Sequence, residues 1–162
     1  MGAYYIIIRG PLGVGKSTVS EKLAKDLKAK HISIDRVLDE FKKVWEDGYI
    51  SKKSFIKANK IVSKRAMAFL AKNKVVVFDG NFYHKSQITD LIGKLDYAHY
   101  VFTLKAPLKL CIERDSRRAK PHGREAAKAV YRKSTEFRYG ISIDATKPLA
   151  KIIKEIVSNL SV

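Results

Sequence analysis

The chain has 162 residues, 46% apolar and 30% charged, enough for one sizeable core but with no apolar run approaching a membrane span. Lys and Arg number 33 against 16 Asp and Glu, a net +17 that favours anionic partners: nucleotides, nucleic acid or an acidic surface. Cys111 is the single cysteine, which excludes an internal disulfide framework and a Cys-built zinc site. With no signal peptide in the short apolar start that ends at Arg9, one cytoplasmic domain over residues 1–162 is expected.

Residues 4–8 form an apolar run that reads as a buried strand, and the glycine-rich segment 10–15 as a turn. Val19, Leu23 and Leu27 recur at i+4 and predict a helix over 16–28, followed by a short strand over 31–34. Residues 36–46 and 51–71 read as two helices separated by Asp47-Gly48; Phe55, Ala58, Val62, Ala66 and Phe69 mark the buried face of the second. The continuous β-branched run 75–78 predicts a strand buried on both faces. A helix over 85–94, a strand over 98–104 and a helix starting at Pro107 and running to Arg118 come next. Pro121 and Gly123 interrupt that helix, and a further one is expected over 124–137. A last short strand over 141–143 precedes a helix with Leu149, Ile152, Ile153 and Ile156 on one face. Strands separated by helices predict an α/β fold: a five-stranded parallel sheet with helices on both faces, ligands lying beyond the carboxyl ends of the strands.

The strongest motif lies after the first strand. Gly10, Pro11, Leu12, Gly13, Val14, Gly15, Lys16 and Ser17 fit G-x-x-x-x-G-K-[ST], with Thr18 following. Glycines let backbone N–H groups curl around an anion at which the next helix points its N-terminus. Lys16 is placed to reach the β- and γ-phosphates of a nucleoside triphosphate, and the Ser17 hydroxyl to ligate Mg²⁺. Asp79 closes the apolar strand over 75–78 and is a candidate to hold Mg²⁺ through water; its alternative is a turn cap before Gly80-Asn81. Asp35 ends the second strand in the same way, as general base on an acceptor hydroxyl, as a further metal ligand, or as the N-cap of the next helix. Arg114, Arg117 and Arg118 stand at i, i+3 and i+4, so they should share a helix face that a transferring phosphoryl group would neutralise. Residues 105–138 hold 11 Lys and Arg against 4 acids, and the stretch 114–124 is expected to be a mobile Arg-rich lid. The four histidines show no metal spacing, Cys111 reads as core, and Trp45, Phe41 and Tyr49 are candidates for either core or an acceptor pocket.

Taken together, the P-loop, Asp35, Asp79 and the Arg-rich helix resemble the small P-loop kinases: adenylylsulfate, shikimate and gluconate kinases, zeta-type toxins and polynucleotide 5′-kinases. The resemblance implies the three-layer P-loop NTPase fold, ATP and Mg²⁺ as cofactors, and lid arginines Arg114 and Arg118 acting with Lys16 and Asp35 in catalysis. It also implies a loop after the last strand, with Lys147 and Pro148, against adenine, and acceptor contacts from Asp35, Arg36 and Asn81. Two departures fall on the acceptor side: Leu38 stands where many relatives carry an arginine, and Asp79-Gly80-Asn81-Phe82 matches their Asp-x-Thr-Asn only in part. The expected activity is transfer of the γ-phosphoryl of ATP to a hydroxyl of a small molecule, nucleotide-like as in adenylylsulfate. The alternatives are a polynucleotide 5′-hydroxyl kinase, motivated by the net charge, and a non-catalytic ATP-gated RNA-binding module.

Overall fold

The computed structural model describes residues 2–161. Five parallel strands form the central sheet in the order β2-β5-β1-β6-β7: β1 (Tyr4–Arg9), β2 (Lys30–Ser33), β5 (Val76–Gly80), β6 (Ala98–Lys105) and β7 (Ile141–Asp144). All six residues of β1 are buried, as its central position demands. Its side chains alternate between two cores, the period-two rule of a strand covered on both faces. Tyr5 and Ile7 enter a core beneath α2 (Ile34–Leu38), α3 (Lys52–Leu70) and α4 (Lys85–Lys94). Tyr4, Ile6 and Ile8 enter the other, beneath α1 (Lys16–Asp26), α5 (Leu108–Ser116) and α7 (Leu149–Ser158). The three-layer α/β architecture is therefore as expected, and α6 (Arg124–Ser134) completes it near the carboxyl ends of the strands.

One predicted element is corrected. The helix expected over 36–46 stops at Leu38, and the chain forms a hairpin of β3 (Trp45–Glu46) and β4 (Tyr49–Ile50). Asp47 and Gly48, at φ 53° and 81°, are the two positive-φ residues such a turn requires, so the pair that looked like a helix break is a strand-pairing signal. Trp45 is 59% exposed and is not core, whereas Phe41 and Tyr49 pack against the first core. The hairpin is pinned by the segment after β5: Ile50 donates its N–H to the Tyr83 hydroxyl (2.8 Å), and His84 Nε2 donates to the Ile50 carbonyl (2.8 Å). Burial pushes the Tyr83 hydroxyl up to about 12 and the His84 imidazole down, so both stay neutral in these roles. Tyr49 donates from its hydroxyl to the Ala129 carbonyl of α6 (3.2 Å), linking the hairpin to that helix.

Arg9, the last residue of β1, is fully buried. Its guanidinium donates to the Phe82 carbonyl (3.3 Å from both Nε and Nη2), Thr103 Oγ1 (3.0 Å) and the Ser134 carbonyl (3.0 Å), and lies 4.6 Å from the Phe137 ring centroid. No carboxylate is among these partners, and burial pushes the group down to about 10, still well above neutral pH. Phe82 itself has φ 45°, a strained backbone for an aromatic residue, and Arg9 holds the carbonyl that follows from it. Replacing Arg9 by Met strands three buried acceptors, so we expect a loss of about 3 kcal/mol in chemical denaturation. A loss below about 1 kcal/mol would show that the guanidinium is not a structural tie.

Candidate active site

The P-loop leaves β1 beside β6 and enters α1 through Gly15. Gly13 (φ 76°) and Gly15 (φ 103°) occupy left-handed backbone, which turns successive amides inward. A side chain at Gly13 would also collide with α5: its Cβ would lie 2.1 Å from the Cys111 carbonyl oxygen. Gly10 is similarly tight, with an added Cβ 2.9 Å from the Leu104 carbonyl oxygen. The first turn of α1 carries no acidic residue and no side-chain cap, so its N-terminal amides are free for an anion.

A cavity of about 510 Å³ opens on this turn. Residues 12–19 form its floor, Asp35 one wall, Arg114 and Arg118 another, and Ala145, Lys147, Leu149 and Ile152 the far end. Lys16 is buried and donates from Nζ to the Pro11 carbonyl at 2.8 Å; Ser17 and Thr18 are exposed to the cavity. Burial depresses the Lys16 ammonium, while the carboxylates of Asp35 and Asp79 act in the opposite sense. Asp35 touches the solvent of the cleft yet has protein on most sides, and that enclosure raises its carboxyl pKa against the pull of Lys16. It lies in the first turn of α2 and does not cap it: Ser33 Oγ accepts from the Arg36 N–H (3.4 Å).

Asp79 sits within β5, 2% exposed, opposite Ile8 and Ser33, and its carboxylate is hydrogen-bonded to His31 Nε2 on β2. That contact joins residues on neighbouring strands, and no local spacing announces it. Asn81 is 7% exposed with its Oδ1 unpartnered, and Arg36 is exposed; like Asp79, neither is among the residues that line the cavity. Pro148 is the N-cap residue before α7 and is likewise not a wall residue, while Lys147 is and also pairs with Glu155 (3.8 Å).

The three arginines do not share one environment. The Arg114 guanidinium clips the P-loop to the segment after β7, donating to the Val14 and Ala145 carbonyls at 3.1 Å each. Arg118 lies past the end of α5 and lines the cavity. Arg117, by contrast, faces solvent and pairs with Glu113 at 2.7 Å. Asp115, the one acid in the stretch 114–124, is 1% exposed and accepts from the His122 N–H, His122 Nδ1 and the Gly123 N–H at 3.0–3.3 Å. It ties the end of α5 to the start of α6 and so anchors the segment that carries Arg118. Burial alone would raise the Asp115 carboxyl, but the hydrogen bonds from His122 and Gly123 outweigh it and hold the group below its ordinary value.

Two outcomes follow from this geometry. Gly13→Ala should abolish nucleotide binding in calorimetry, since neither the left-handed backbone nor the Cys111 carbonyl can yield; retained affinity would contradict the packing. Because the folded Asp115 carboxyl is depressed, its stabilisation is complete above the unfolded value near pH ~4 and is lost as pH falls through the folded value. Asp115→Asn should therefore cost about 2 kcal/mol at neutral pH, a gap that closes as acid titrates the wild type. A gap constant with pH would mean the charge plays no part.

A family description, AAA domain (AAA_33), matches residues 6–138. The fold is similar to a gluconokinase from Sinorhizobium meliloti (TM-score 0.71, 19% identity, covering 97% of this chain and 90% of that one). It is similar to a sugar kinase from a Janibacter species (TM-score 0.76, 12% identity, 98% and 94% covered) and to a shikimate kinase from Aquifex aeolicus (0.65, 16%, 95% and 94%). At these identities the likeness establishes the fold alone, a three-layer α/β P-loop architecture over nearly the whole chain. With the matched segment running from within β1 to beyond the end of α6 and holding the entire P-loop, the chain belongs to the AAA_33 family of AAA domains.

Proposed function

We propose that the protein is a phosphotransferase that moves the γ-phosphoryl of ATP to a hydroxyl of a small molecule. The observation that carries this is one cavity in which the α1 amides and Lys16 face Asp35 and Arg118. Anion-binding groups sit on one side and a carboxylate of raised pKa on the other, which is what positioning and electrostatic stabilisation of phosphoryl transfer require. The gluconokinase, sugar kinase and shikimate kinase names of the similar structures support an alcohol acceptor.

In this reading the α1 amides and Lys16 hold the phosphates, and Val19, Leu149 and Ile152 offer apolar surface towards Lys147 for the base. Arg114 fixes the two walls relative to each other through its carbonyl bonds. Asp35 orients the acceptor hydroxyl and takes its proton, and Arg118 offsets charge that develops on the phosphoryl oxygens. Ser17 Oγ and the His31-held carboxylate of Asp79 are oxygen donors of the kind a hard cation takes, so they fit Mg²⁺, with Asp79 acting through water. When bound, Mg²⁺ supplies charge neutralisation at the phosphates. The acceptor is a hydroxyl-bearing small molecule, nucleotide-like as in adenylylsulfate or an alcohol of the kind for which the similar structures are named.

With an acceptor identified by ATP-consumption screening, Asp35→Asn should lower kcat by at least ~100-fold while leaving the affinity for an ATP analogue nearly unchanged. It should also remove the acid limb of the wild-type pH profile, because only the deprotonated carboxylate accepts the proton. Lys16→Ala should lose both turnover and nucleotide affinity. Turnover by the Asp35→Asn variant within about tenfold of wild type would falsify the assignment of the base.

A further inference from the structure

We propose that the outer face of α3, with Trp45 at its N-terminal end, is a docking surface for single-stranded nucleic acid. No residue of α3 lines the active-site cavity, so this surface is separate from the site already described.

The helix is electrostatically one-sided. α3 carries Lys52, Lys53, Lys57, Lys60, Lys64 and Arg65 and no acid in 19 residues. Lys53, Lys57, Lys60 and Lys64 recur at i, i+4, i+7 and i+11, all exposed, and so form one stripe. At 1.5 Å per residue the stripe is about 16 Å long, the reach of a few nucleotides of backbone. Among the described residues only Arg65 of the six meets a carboxylate, that of Glu40 at 2.7 Å; Lys57 lies over the Phe41 ring instead, at 4.5 Å. Over residues 42–74 there are ten Lys and Arg against two acids, a net +8 that exceeds the excess of the 105–138 segment.

Two local rules are broken at once. Like charges at i+4 repel, and Lys52 and Lys53 stand in the first turn, where the helix dipole disfavours cations. Among the described residues the fold compensates only Arg65, through Glu40, and Lys57, over Phe41, so the geometry calls for an external polyanion. Trp45 makes the choice among polyanions. It is the one tryptophan of the chain and 59% exposed beside Val44, itself 51% exposed. Val44 is fastened to the first turn of α3, accepting from the Ser51 N–H (2.9 Å) and donating to Ser54 Oγ (2.8 Å). An exposed indole is thereby held where the lysine stripe begins, and an aromatic platform beside a basic track is the arrangement on which bases stack while phosphates are neutralised. A lipid surface fits less well, because the apolar face of α3 is already in the core and has nothing to insert.

Trp45 fluorescence reports on the proposal directly. Titration of the full chain with a short oligouridylate should quench it, with a log–log salt dependence of roughly −3, or about fiftyfold weaker binding from ~50 to ~200 mM salt. The variant carrying Lys53→Gln, Lys57→Gln, Lys60→Gln and Lys64→Gln should bind at least about tenfold more weakly with a nearly flat salt slope. Removing four exposed lysines elsewhere (Lys25, Lys109, Lys151 and Lys154, each to Gln) should change binding by less than about threefold. Trp45→Ala, followed by anisotropy of a labelled oligonucleotide, should weaken binding about fivefold or more. Inorganic polyphosphate should compete without quenching. Equal losses in the two quadruple variants, absence of quenching, or tighter binding to phosphatidylserine vesicles than to the oligonucleotide would each overturn the proposal. Glutamine keeps the helix propensity of lysine, and unchanged circular dichroism separates loss of binding from loss of fold.

Discussion

A single buried guanidinium sets the frame in which the site is built. Arg9 ends the central strand one residue before the P-loop, and its planar fork reaches Phe82 after β5, Thr103 on β6 and Ser134 at the end of α6. A lysine has no fork that could satisfy acceptors in three directions at once. The connection does not stop there. Phe82 leads into Tyr83 and His84, which hold both polar groups of Ile50, and Tyr49 of the same hairpin bonds back to α6. P-loop, β3–β4 hairpin and α6 are thus registered to one another through a closed circuit of hydrogen bonds. The charge is tolerated without a carboxylate because its donors meet carbonyl and hydroxyl oxygens and its face lies against Phe137.

The cavity itself is a balance of opposing fields. Burial works against charge on Lys16 and on Asp35, and each group partly relieves the other. Bringing phosphate to Lys16 adds negative charge where the ammonium is short of it, so the nucleotide completes the electrostatics of its own floor. Arg114 and Asp115 divide the remaining work on consecutive residues of α5. The first clips two walls through backbone carbonyls, and the second fastens the segment bearing Arg118 through His122 and Gly123. The arginine-rich stretch is therefore tethered at both ends, at Asp115 and at His122 and Gly123.

The fold was legible wherever one residue type repeats at one period. The run 75–78 and the i+4 spacing of the first helix announce strand and helix without outside help, and the P-loop announces its own turn. What stayed hidden depends on contacts between distant parts of the chain. Residues 36–46 have enough apolar positions to suggest a helix, but Asp47 and Gly48 adopt positive φ, and Tyr83 and His84 bind the backbone of Ile50 from 33 and 34 residues away. The shared face holds for Arg114 and Arg118, which both line the cavity, and fails at Arg117, which follows the last residue of α5 and pairs with Glu113 instead. Likewise, Asp79 looks like a strand-end acid, yet its orienting partner His31 is 48 residues earlier on a neighbouring strand. Arg9 is the sharpest case: a charged residue at a strand end reads as the edge of the core, and only the packing reveals that it is the centre.

The central claim is that this cavity passes a phosphoryl group from ATP to an alcohol. Following ATP radiolabelled at the γ-phosphate through the wild-type protein, with pooled small hydroxyl compounds and Mg²⁺, tests it most directly. Label should appear in an acid-stable phosphate ester whose formation depends on one pool. Label recovered only as inorganic phosphate, at a rate indifferent to every pool, would contradict it.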